Sequence, residues 1–216
     1  MRRCWRWGAL ALGTLAGVAG AQDEAPSLAA FLLRQTGSAN SAQCHHIAHI
    51  ARPQAHRHVG LIASCTDNAD GSRQAWVFVA DEAATGPIKL QVLSAPFDFG
   101  GSRHYVELVQ AQGAQRFSIQ INYRGGCGTS FDRFRIAFHQ GDWVVAGLDS
   151  QSTNCGAPGE GTGSSRQERS ADFLTGRVEE RDYQHNKLVA RRTHVDEFRR
   201  FALSDFDPFD PAYGPR

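Results

Sequence analysis

Two stretches decide the fold: RFSIQINY at residues 116–123 and FRIAFHQGDWVVAGL at residues 134–148. In the first, Phe117, Ile119, Ile121 and Tyr123 alternate with other residues, and Phe134, Ile136 and Phe138 repeat that spacing in the second. A period of two sends successive side chains to opposite faces, so each run predicts a β-strand with one buried face. Gly141-Asp142 predicts a tight turn into the run Trp143–Leu148, the strongest hairpin signal in the chain.

Working outward, Val59–Cys65 and Gln74–Val79 flank a stretch at 66–72 dense in turn-forming residues, which reads as a hairpin with a long loop. Ile88–Leu93 alternates, with Ile88, Leu90 and Val92 predicted on one face. Tyr105–Val109, Ser170–Leu174, Arg177–Tyr183 and Leu188–Val195 read as further strands, with turns at Thr175-Gly176 and His185-Asn186-Lys187. Residues 156–165 are rich in Gly and Ser and read as a loop. The expectation is an all-β chain, an antiparallel meander of about nine short strands in a small propeller-like, sandwich or barrel architecture. Helical runs long enough for a parallel βαβ sheet are missing. One short helix is expected over Leu28–Leu33, capped by Ser27 and ended near Gly37.

The N-terminus reads as a secretory signal at residues 1–21. Arg2, Arg3 and Arg6 precede an uncharged, mostly apolar run from Gly8 to Ala19, too short to span a bilayer, and Ala19-Gly20-Ala21 offers small residues for cleavage before Gln22. Residues 22–58 then form an N-terminal segment with the helix and a His-rich connector. Residues 59–216 form one β domain, ending in an extended strap at 206–216 with three prolines. Losing three arginines leaves 20 basic against 22 acidic residues, a formal charge of −2. That balance gives no electrostatic case for nucleic acid or an anionic membrane. No later segment is apolar enough to cross a membrane, so the expected location is periplasmic or secreted.

Cysteine usage agrees with export. Cys4 leaves with the signal, and Cys44, Cys65, Cys127 and Cys155 remain, an even number that suggests disulfides in an oxidising compartment. Three connectivities are possible. Cys44–Cys65 and Cys127–Cys155 are favoured because each closes a moderate loop. The absence of any C-x-x-C pair argues against zinc.

Three constellations carry possible chemistry. His45, His46, His49, His56 and His58 crowd into fourteen residues, and His45 and His49 at i, i+4 would share a helix face suited to a transition metal. Residues 66–71 place Asn68, Asp70 and Gly71 at positions three, five and six of a calcium loop, but Thr66 is weak at position one and Val77 stands at position twelve, where Glu is wanted. Turn chemistry accounts for the Asp67–Asp70 stretch without an ion. The third is Tyr123-Arg124-Gly125-Gly126-Cys127-Gly128, a glycine-rich loop with an amphipathic ring and a planar cation, the usual anchors of a binding surface. A G-x-S-x-G elbow, an H-E-x-x-H pair and a phosphate-loop lysine are all missing from the sequence. The expected set is therefore a partner-binding group at Tyr123, Arg124, Gly125 and Gly126, four cysteines in disulfides, and no catalytic residue, metal or cofactor.

The pattern Phe134-x-Ile136-x-Phe138-x-x-Gly141-x-Trp143-x-x-x-Gly147-x-Asp149-Ser150, with Ser170 to Gly176 after a Gly/Thr-rich loop, resembles a secreted bacterial family. That family includes periplasmic β-propeller-like inhibitors, immunity proteins against peptidoglycan-degrading effectors. The resemblance spans the C-terminal half and implies that Tyr123, Arg124, Gly125 and Gly126 form an inhibitory loop. Here the loop also carries Cys127. Three functional expectations follow: an exported binding protein that inhibits a secreted cell-wall hydrolase; a non-catalytic envelope or carbohydrate-binding module, with peptidoglycan as partner; or a metal-binding protein using His45 to His58.

Overall fold

The computed structural model describes residues 28–35, 47–50, 57–67, 72–82, 87–100, 104–109, 115–123, 130–154 and 164–213. They form one α-helix, α1 (Leu28–Gln35), two single-turn 3-10 helices (Leu203–Asp205 and Pro211–Tyr213) and thirteen strands. The first six strands are β1 (Ile47–Ile50), β2 (Arg57–Asp67), β3 (Ser72–Glu82), β4 (Ile88–Leu93), β5 (Phe97–Gly100) and β6 (His104–Val109). The rest are β7 (Arg116–Tyr123), β8 (Ser130–His139), β9 (Asp142–Asn154), β10 (Ser165–Asp172), β11 (Arg177–Gln184), β12 (Lys187–Val195) and β13 (Phe201–Ala202). The chain is all-β as expected, with more strands than the sequence suggested. The additional ones include β1, β5 and β13, of four, four and two residues, too short to alternate legibly.

Every pairing is antiparallel, in two sheets. The smaller runs β1-β2-β3-β4, with β5 also on β3; the larger is a meander from β6 to β12 in chain order, with β13 added to β9. Val59, Leu61, Val77 and Val79 of the smaller sheet share one core with Ile119, Ile121, Phe134 and Ile136 of the larger. Two sheets facing across one core are a sandwich, and they do not close into a barrel. On the far side of the smaller sheet, Leu28 and Phe31 of α1 cover Ile62, Trp76 and Phe78. None of the described helices is long and apolar enough to cross a membrane.

Three local readings change. Ile88, Leu90 and Val92 do not share a face: Val79 pairs with Val92 but Ala80 with Leu90, so Gln91 bulges, Ile88 and Leu90 turn to the helix side, and Val92 enters the main core. The β8–β9 turn is centred on Gln140 and Gly141, both at positive φ, with Asp142 already paired to His139. Two such residues match the right-handed twist of a hairpin. The Ser170–Leu174 strand is instead β10, beginning at Ser165 and ending at Asp172, whose carboxylate caps the turn by accepting from the Leu174 and Thr175 amides.

The break between β4 and β5 is bridged by a side chain. Ser94 Oγ accepts the Val77 N–H at 2.9 Å while the Ser94 N–H reaches the Val77 carbonyl at 2.9 Å, so the buried β3 backbone stays satisfied beside Pro96. Residues 201–213 return onto the sheets. β13 pairs with Val144 and Val145 of β9, beyond the end of β10, and Leu203, Phe206 and Tyr213 then enter the core. Phe206 meets Phe97 and Phe134 edge-on, with ring centres 5.7 and 5.1 Å apart, and Tyr213 meets Phe134 at 5.2 Å.

Candidate functional site

The core-facing side of the larger sheet changes character within two residues. Ile119, Phe134, Leu148, Ala171 and Val178 stand side by side across β7 to β11, all buried. Two positions along the strands the next row reads Ile121, Asp132, Ser150, Arg169, Glu180 and Arg192. The apolar row belongs to the core. Part of the polar row forms the floor of a cleft that the strap roofs with Pro208, Phe209, Asp210, Pro211 and Tyr213. The cavity is about 420 Å³, within the range of small-ligand sites.

Tyr123 closes one end. It is the last residue of β7, half buried against the core, and its hydroxyl donates to Asp132 Oδ2 at 2.7 Å. Burial first, then the bond to Asp132, holds this phenol well above its ordinary ionisation range. Tyr213 is raised likewise, by burial and then by the Asp210 carboxylate. Asp210 is fixed twice, by Arg199 Nη2 at 2.8 Å and by the Ala212 N–H at 2.8 Å. Glu180, opposite Arg169 in the ladder, pairs with Arg192 at 3.2 Å. Arg169 donates from Nη1 to the Tyr213 carbonyl at 3.3 Å, and its buried Nε has no partner.

The opposite face of the same sheet is a lattice of charges. Arg133 gives two hydrogen bonds to Gln120 Oε1, at 2.9 and 2.7 Å. Arg135 bonds Asp149 at 3.0 Å and the Ala171 carbonyl at 2.7 Å. Glu179 accepts from Arg181 at 2.6 Å and Arg191 at 3.0 Å, and these bonds, that of Arg181 first, hold its carboxyl below the usual range.

Of the residues singled out in the sequence, Tyr123 borders the cleft. Arg124, Gly125, Gly126, Cys127, Cys155 and Cys44 lie outside the described residues, as do His45, His46, His56 and Asn68 to Gly71. Cys65 stands on β2 and His49 on β1. His58 is buried on β2 with Nε2 2.7 Å from Glu82 Oε2, and Val77 is a core residue of β3. Among the described residues no group of three or more His, Cys, Asp or Glu is placed to hold a metal. Asp132, Ser150, Arg169, Asp210 and Tyr213 escaped the sequence reading. One signal was available: Asp132 falls on the same parity as Phe134 and Ile136, a charge in a core-facing series.

Compared with protein-family models, with curated proteins and with solved structures, the chain matches none of them.

Proposed function

We propose that the chain is an exported binding protein that inhibits a secreted cell-wall hydrolase through the β7–β8 connection, with Tyr123, Arg124, Gly125 and Gly126 as its contact group. The signal-like N-terminus, the cysteine count and the composition of that connection support the reading. The observation that carries it is the footing of the connection. Tyr123 and Ser130 pair directly across β7 and β8, and the Tyr123 hydroxyl is tied to Asp132. Fixed ends lower the ordering cost that a loop incurs on binding. Glycan hydrolases keep two carboxyl groups across a cleft, and an arginine such as Arg124 can engage a carboxylate with two parallel hydrogen bonds.

The test is the release of soluble fragments from purified peptidoglycan by a panel of muramidases, amidases and endopeptidases, with and without the protein. The expected result is slowed release by at least one enzyme, with the effect lost in Arg124→Ala and weakened in Tyr123→Phe, which frees the footing of the loop. If no enzyme is slowed, the inhibitor reading fails. Equal inhibition by Arg124→Ala and the parent would move the contact elsewhere.

A second reading, a non-catalytic envelope or carbohydrate-binding module, is favoured by the aromatic and proline walls of the strap cleft, where a sugar ring could stack beside Asp132 and Ser150. Sedimentation with peptidoglycan, without any effect on the hydrolases, would select it.

A further inference from the structure

We infer that the strap cleft is a binding site for a monocarboxylate with a flat apolar body, with Arg169 as the group that holds the carboxylate. This inference does not depend on the inhibitor reading; the two share only Tyr123 and its bond to Asp132, where the β7–β8 connection borders the cleft.

Asp132 is occupied by the Tyr123 hydroxyl, Asp210 by Arg199 and the Ala212 N–H, and Glu180 beyond the floor by Arg192. Arg169 is the exception. Among the described residues its one polar partner is the neutral Tyr213 carbonyl, and its buried Nε has none. A buried donor without an acceptor is costly, and a guanidinium fork presents donors in the plane that a carboxylate fills with two charge-assisted bonds. Among the described residues Arg169 thus has no charged partner, and an anion entering the cleft would supply one to the edge of the guanidinium that faces it.

The walls narrow the chemistry. Phe134, Phe209, Tyr213 and two prolines give the cavity flat apolar sides, suited to an aromatic or other planar body. Asp132 and Asp210 line the same space, so a second negative charge would be repelled. One guanidinium in a cleft lined by two fixed carboxylates favours a single anionic charge over a phosphate dianion. Ser150, beside Arg169 in the ladder, offers a hydroxyl to a polar substituent.

The test uses phenylacetate, phenylacetamide and inorganic phosphate as probes, followed by calorimetric titration and by amide chemical shifts of the full protein. Phenylacetate is expected to bind saturably and to shift Ser150, Arg169 and Tyr213. The amide and phosphate should bind at least about tenfold more weakly, because loss of a charge-assisted pair costs that much affinity. Arg169→Gln should remove the preference for the acid over the amide, and Arg169→Lys, which keeps the charge but not the fork, should restore only part of it. Equal affinity for acid and amide in the parent protein would overturn the inference without any variant having to fold. So would undiminished preference in Arg169→Gln, or no saturable binding of phenylacetate.

Discussion

Gly147 lies directly against the guanidinium of Arg135. The two residues pair across β8 and β9, and a β-carbon at position 147 would overlap Arg135 Nη2 and press on the Ala171 carbonyl oxygen. The missing side chain is what lets Arg135 lie over β9, bonding Asp149 there and the Ala171 carbonyl of β10 beyond it. Gly147→Ala is expected to lower the urea midpoint by the equivalent of about 1–3 kcal/mol, the usual cost of overpacking. An unchanged midpoint would show that Arg135 moves aside freely.

Phe206 is the pin of the strap, fully buried between Phe97 and Phe134. Phe206→Ala should cost roughly 3–5 kcal/mol, the range for removing a buried aromatic ring. A loss below about 1 kcal/mol, typical of surface substitutions, would mean that the strap contributes little to the core.

Two of the four tyrosines, Tyr123 and Tyr213, keep their protons longer in the fold than in the open chain. Free phenols ionise near about pH 10. Stability is therefore complete below that value and declines as pH rises toward the folded values, because the unfolded chain releases protons first. Phenolate absorbance should show two tyrosines titrating only as the circular dichroism signal is lost, and one in Tyr123→Phe. Four tyrosines titrating together with the fold intact would refute the assignment.

Glu179 behaves in the opposite sense. Its lowered carboxyl stabilises the β11–β12 contact above the ordinary carboxylate range, and this support disappears as pH falls through the folded value. Amide protection factors along β12, corrected for the intrinsic slowing of exchange in acid, should fall on acidification, and less steeply in Glu179→Gln. Identical acid profiles for the two proteins would rule this out.

The even number of cysteines, Cys44, Cys65, Cys127 and Cys155, bears on the expected bridges. Peptide mapping without reductant is expected to recover Cys44–Cys65 and Cys127–Cys155, and reduction should cost about 3 kcal/mol per bridge. A peptide joining Cys44 to Cys127 would exclude this connectivity.

The large meander was legible because its central strands alternate over a buried face: Phe117, Ile119, Ile121, Phe134 and Ile136 each sit where parity puts them. Gln91 was not legible, since a bulge changes parity without changing composition. The full length of β9 was hidden for a related reason. Past Leu148 its core-facing side carries Ser150 and Ser152, because there the sheet overhangs the core. The cleft itself could not be read from the sequence. Arg169 and Tyr213 are 44 residues apart and meet only through the return of the strap.

That return also imposes an order of events. Phe201, Leu203, Phe206 and Tyr213 are synthesised after β1 to β12, yet they complete the interior on which those strands close. While the last segment is still being made, both sheets can pair but their shared interior lacks its keystone rings. Until residues 201–213 arrive that interior stays loosely packed, and a ribosome that stalls near residue 200 would release a product with its oily seam exposed to proteases.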